Sequence, residues 1–139
     1  MVNPSTVNER LNKMRENILL LEDLKSASAD KFCNDPKIFK LAEHCLQVSI
    51  QCLLDICHHI IVDNDWPRPR DNKEALQIIA SKKIIPEDFA KKIEPMIGLR
   101  NILVHEYLKI DPQKIYEHLQ NLDDSREFQK YIVTYLKSA

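Results

Sequence analysis

Glycine is almost absent from this chain: Gly98 is the single one in 139 residues. Aromatic side chains make up only 6%. β-Rich folds draw repeatedly on glycine for tight turns and on aromatics for strand packing, so the two shortages exclude a turn-rich β architecture. Charge of one sign is lacking too. The 20 Lys and Arg face 21 Asp and Glu, for a formal net charge of −1. No global basic field would therefore hold a long nucleic acid through counterion release, and any such binding has to be local. Cys33, Cys45, Cys52 and Cys57 are separated by eleven, six and four residues, which matches no paired C-x-x-C frame of a zinc site. No metal and no cofactor is expected, and the thiols read as reduced, buried hydrophobes. The opening "MVNPSTVNERLNKM" has no apolar h-region, and the longest apolar runs fall short of the ~20 residues that span a bilayer. The expected location is cytoplasmic, away from membranes.

What is present is ordinary globular material, 44% hydrophobic and 29% charged, enough for one domain over residues 1–139. Thr6 and Glu9 match a capping box, followed by Val7, Leu11, Met14, Ile18 and Leu21 at alternating steps of four and three. This spacing predicts a long amphipathic helix that fades near "SASAD". Asp35 and Pro36 mark the next start. From Ile38 to Ile61 the positions Leu41, Cys45, Val48, Cys52, Ile56 and Ile60 form a broad apolar stripe, as in a central helix. "DNDWPRPRDN" ends it. A short helix over Lys73 to Ser81 follows, with Leu76 and Ile79 inward. Another segment opens at Pro86, and Pro95 predicts a kink or restart in it. Asp111 and Pro112 repeat the cap-plus-proline signal, and a last stretch runs to about Leu136, broken around "DDS". Five or six helices without strand alternation predict an all-α, antiparallel helical bundle.

The chemistry concentrates in "LRNILVHEYL", residues 99–108. At 3.6 residues per turn, Asn101 and His105 share one stripe and Arg100, Val104 and Tyr107 the next, with Met96, Leu99 and Leu103 left to anchor the helix. Arginine presents a planar fork of donors to phosphate, and histidine exchanges protons near neutral pH. An RNA substrate supplies its own nucleophile, the 2'-hydroxyl, so base, acid and charge stabilisation suffice. Cleavage needs proton removal and proton donation on opposite sides of the phosphorus, whereas this segment holds one histidine. A two-fold homodimer, with the motif helices at its axis, would bring two copies of Arg100 and His105 into one cleft.

The run "RNILVHEY" resembles the R-x-x-x-x-H-x-Y signature of HEPN-domain ribonucleases, in particular the HepT-like toxins. "LLDICHHII", "WPRP", "IIPEDFAKKI" and "DPQKIYEHL" are similar to that family in kind and order, so the resemblance covers nearly the whole chain. It implies a metal-independent endoribonuclease working as a homodimer beside a minimal nucleotidyltransferase antitoxin, which adenylylates the motif tyrosine, here Tyr107. Nucleotidyl groups on that phenol would add negative charge and bulk beside Arg100.

Other residues carry two readings each. Asn101 either contacts substrate, orients His105, or is a solvated amide. Tyr107 is either the modified group or a tyrosine at the edge of the core. Asp55, three and four positions before His58 and His59, pairs with one of them as a structural group or supports the site. Trp66, Arg68 and Arg70 combine a stacking ring with two cations, suited to single-stranded RNA or an acidic partner, or they form a loop pinned by its tryptophan. His44 and His118 receive no role. The rival reading of the whole chain is a non-catalytic nucleotide-binding or adaptor subunit that pairs with a nucleotidyltransferase and uses the same pocket only to bind.

Overall fold

A computed structural model describes residues 2–138. Among them are eight α-helices and two 3-10 turns: α1 Pro4–Lys25, α2 Ala29–Asn34, α3 Pro36–Asp63, α4 Asn72–Ser81, α5 Glu87–Ile93, α6 Pro95–His105, the turn Tyr107–Lys109, α7 Pro112–His118, the turn Leu119–Asn121, and α8 Asp123–Ser138. The all-helical expectation holds. The number exceeds five or six because α2 is too short to show in the sequence pattern and because Pro95 restarts the helix instead of kinking it.

Prolines and short polar caps set most boundaries. Asp35 accepts from the Lys37 amide at 3.0 Å and Asp111 from the Gln113 amide at 3.0 Å, each with a proline at the first helical position. At the first helix the capping box fails. Asn3 caps instead, accepting from the Ser5 amide at 3.1 Å with Pro4 behind it. The helix thus begins before Thr6, and the Thr6–Glu9 pair lies inside it. Helix α2 is capped by Ser28, which accepts from the Lys31 amide at 3.2 Å. After α3 and α4 the chain closes through left-handed residues, Asp65 (φ 54°) and Lys83 (φ 62°). The amides of Trp66 and Ile84 reach back to the carbonyls of Ile61 and Ile79. This is the usual closure after a helix, made without the glycine that normally fills it.

Helix α3 is the spine. It packs along α1 and is also contacted by α2, α4, α6 and α7, so the apolar residues of all these elements share one core. The stripe of α3 is buried at Cys45, Cys52, Ile56 and Ile60, but Leu41 is 41% exposed, a departure from the even stripe expected near the helix start. By length and composition alone α3 could cross a membrane, which the lengths of the apolar runs do not suggest; most of its apolar window is buried inside the bundle, as in the core helix of a globular domain. No other described helix is long and apolar enough to do so.

Candidate functional site

Helix α6 is held to the core by Leu99 and Leu103, both buried, with Met96 half-buried beside them. Once those three face inward, helical geometry turns Asn101 and His105 outward and leaves Arg100 at the edge of the contact with α3. Arg100 is fixed there by two bonds. Its Nε donates to Oε1 of Gln51 on α3 at 3.2 Å, and its Nη1 donates to Oδ1 of Asn101 at 3.2 Å. Gln51 donates onward through Nε2 to Oδ1 of Asp55 at 2.8 Å, and Asp55 faces Arg10 of α1, Oδ2 to Nε at 3.9 Å.

Three helices thus aim one guanidinium, whose Nη2 makes no hydrogen bond with the described residues. That half of the fork is available to an oxyanion. His105, the last residue of α6, is exposed and makes no hydrogen bond among the described residues, leaving both ring nitrogens open to a proton partner.

Two sequence expectations are corrected here. Tyr107 does not lie above Arg100 on a helical stripe. The helix ends at His105, Glu106 leaves helical geometry (φ −125°, ψ 36°), and Tyr107 opens a 3-10 turn with 67% of its surface exposed. Seven positions along the sequence therefore do not translate into two helical turns. Asp55 pairs with neither His58 nor His59. His58 Nε2 bonds Oδ1 of Asn72 at 2.9 Å, while Asp55 turns toward Gln51. Asp55 does reach the motif, but through an amide that sequence reasoning missed. Its one legible sign was a Gln four residues before an Asp, a pair that bonds on a helix face.

Trp66 is half-buried against the core, and Nζ of Lys82 stands 4.9 Å from its ring centroid. It pins the loop over residues 64–71. Arg68 and Arg70 are exposed, the latter bonded through Nε to Glu74 at 2.7 Å. A groove of about 1150 Å³ runs between this loop and α6. Arg68, Arg70 and Asn101 line it; Arg100, His105, Tyr107 and Trp66 do not. Among the described residues no group of three or more His, Cys, Asp and Glu side chains is placed to hold a metal ion.

Residues 14–132 match the family model described as "Ribonuclease HepT-like". A curated relative, the tRNA nuclease HepT of Aphanizomenon flos-aquae, is 30% identical over 115 residues, covering 83% of this chain and 78% of that protein. The mRNA nuclease HepT of Shewanella oneidensis is 26% identical over 84 residues, 60% of this chain and 63% of that one. Among solved structures, a tri-AMPylated Shewanella oneidensis HEPN toxin in complex with its MNT antitoxin superposes with a TM-score of 0.84 at 20% identity, covering 93% of this chain and 97% of that one. That likeness speaks for the fold.

Proposed function

The chain belongs to the HepT-like ribonuclease family, and on that premise we propose that it is a metal-independent endoribonuclease toxin. The observation that carries this reading is the pairing of an immobilised arginine with an unoccupied histidine on one helix. In the reaction, one His105 removes the proton from the ribose 2'-hydroxyl and the 2'-oxygen attacks the adjacent phosphorus. The bond to the 5'-oxygen then breaks, and the His105 of a second copy gives that oxygen a proton. Arg100 carries the extra negative charge on the phosphoryl oxygens. The products are a 2',3'-cyclic phosphate and a free 5'-hydroxyl.

A two-fold homodimer supplies the second histidine. Ile102 within the motif and Leu108 just after it, 40% and 88% exposed, would be covered in such a pair. We also assign the chain a nucleotidyltransferase antitoxin as partner, adenylylation of Tyr107 as the silencing step, and a cytoplasmic place of action. The exposed phenol of Tyr107 supports its role as acceptor, since a second enzyme has to reach it. The AMPylated state of the structural relative supports the chemistry.

The test is RNA cleavage by purified, unmodified protein in excess chelator, beside Arg100→Ala and His105→Ala. Wild type should yield cyclic phosphate ends, and each variant should lose at least ~100-fold, about 2.7 kcal/mol of transition-state stabilisation. Protein that binds nucleotide and the transferase but cuts no RNA would instead be the non-catalytic adaptor subunit.

A further inference from the structure

The groove beside α6 has properties that cleavage at Arg100 and His105 does not explain. Arg68, Arg70, Lys73 and Lys91 line it against two carboxylates, Asp71 and Glu94. That local excess of two positive charges sits in a chain whose formal net charge is −1. Arg70 is paired with Glu74 and Lys73 with Glu94 at 3.3 Å, but Arg68 and Lys91 have no charged partner among the described residues. The volume, about 1150 Å³, exceeds the ~300–1000 Å³ of small-molecule pockets.

Its wall also contains Gly98, the only glycine of the sequence, in the middle of α6. A Cβ built there would meet nothing within 4 Å, so packing does not require the glycine, while the helix is weakened by it. Close approach of a ligand to the backbone would account for it. Finally, Asn101 lines the groove and accepts from Arg100, so one side chain links the groove to the guanidinium, which does not itself line it.

We propose that this groove is the track for a single-stranded RNA substrate, carrying the nucleotides next to the cleaved phosphate. The inference rests on the ribonuclease reading above. A single strand fits better than a duplex because in-line attack requires the reacting nucleotide to leave A-form geometry. Phosphates would lie on Arg68 and Lys91, and the strand's edge would pass over Gly98. Among the described residues no Phe, Tyr or Trp lines the groove, and its one imidazole, His58, is bonded to Asn72, so phosphate contacts dominate and binding is steeply salt-dependent. The track is rigid beforehand: Pro67 and Pro69 stiffen a loop already tied at Trp66 and Arg70, which reduces the ordering entropy of binding.

The experiment measures fluorescence anisotropy of a labelled, unstructured oligoribonucleotide on the His105→Ala protein. Adding Arg68→Glu with Lys91→Glu should raise Kd at least ~10-fold and flatten the slope of log K against log salt by roughly 0.7 for each phosphate no longer neutralised. The charge-matched pair Lys130→Glu and Lys137→Glu, on exposed positions of α8, should leave Kd within about twofold. Gly98→Leu should raise the melting temperature yet weaken RNA binding, opposite signs that a purely structural glycine would not give.

Equal Kd and slope for the groove variant, or equal weakening by both charge pairs, would overturn the proposal. So would unchanged RNA binding together with abolished co-purification of the transferase, which would give the groove to an acidic protein partner. Groove-dependent binding with no cleavage by wild type would remove the nuclease reading and keep the groove, whereas cleavage with groove-independent binding would remove the groove alone.

Discussion

Gln51 and Arg100 are 49 positions apart in sequence and joined by a 3.2 Å hydrogen bond, amide oxygen to Nε. The bond orients the guanidinium plane, and Asp55 orients the amide in turn by accepting from its nitrogen. Leucine at position 51 keeps the bulk and removes both bonds. Gln51→Leu should therefore lower kcat for RNA cleavage about 10-fold, ~1.4 kcal/mol, with a smaller change in KM and little change in melting temperature. A lowered melting temperature with an unaltered rate would mean that the amide serves only the fold.

For Tyr107, the exposed position makes the substitution mild. Tyr107→Phe should change stability by less than ~0.5 kcal/mol. With an active nucleotidyltransferase, wild type should gain mass in units of AMP and lose cleavage, whereas the variant should gain none and stay active. Mass added elsewhere would move the regulatory site off Tyr107.

The four thiols should differ sharply in reactivity. Burial pushes Cys57 up to about 12 and raises Cys45 and Cys52, the last also through the neighbouring charge of Asp55. Only Cys33 is partly exposed, its Sγ 3.5 Å from Oε1 of Gln113. Alkylation of the folded protein at about pH 8 should label Cys33 alone, and unfolding should release all four. Rapid labelling of Cys57 in the native state would contradict its burial.

His118 gives a pH dependence of stability with a definite sign. Burial lowers its pKa from the ordinary 6.5, partly opposed by Glu117 and assisted by Lys114; the ion pair of Lys92 and Asp124 lines the same small cavity. The unfolded chain thus binds this proton more readily than the folded one. Stability contributed by the neutral ring is complete above the unfolded value and falls as pH drops through the depressed folded value. His118→Gln should flatten the melting-temperature profile in that window. A profile with unchanged slope would assign the acid sensitivity to other groups.

Much of this molecule is legible in its sequence because the signals are local. Asp35 with Pro36 and Asp111 with Pro112 fix helix starts through caps that need no tertiary context, and Pro95 marks the restart that exposes the motif. Val7, Leu11, Met14, Ile18 and Leu21 are buried as their spacing predicts. The failures share a cause. Helix α2 has only six residues, too few for a period to show. The end of α6 at His105 carries no proline or glycine, so the periodic pattern runs on through Tyr107 although the chain has already turned. Gln51 and Asp55 serve a residue on another helix, and a bond across 49 positions leaves no trace in local pattern. The contact of Lys82 with the Trp66 ring likewise becomes visible only once the fold brings the two together.

His105 stands at the exposed end of α6 with no hydrogen bond to the described residues. The fold therefore makes no demand on it, and a lineage could replace it without losing the domain. Under the proposed reaction, stability rests on the buried Leu99 and Leu103 and chemistry on a side chain that makes no hydrogen bond with the described residues. Such a domain can outlive its own activity, persisting as a folded, inactive partner after one substitution.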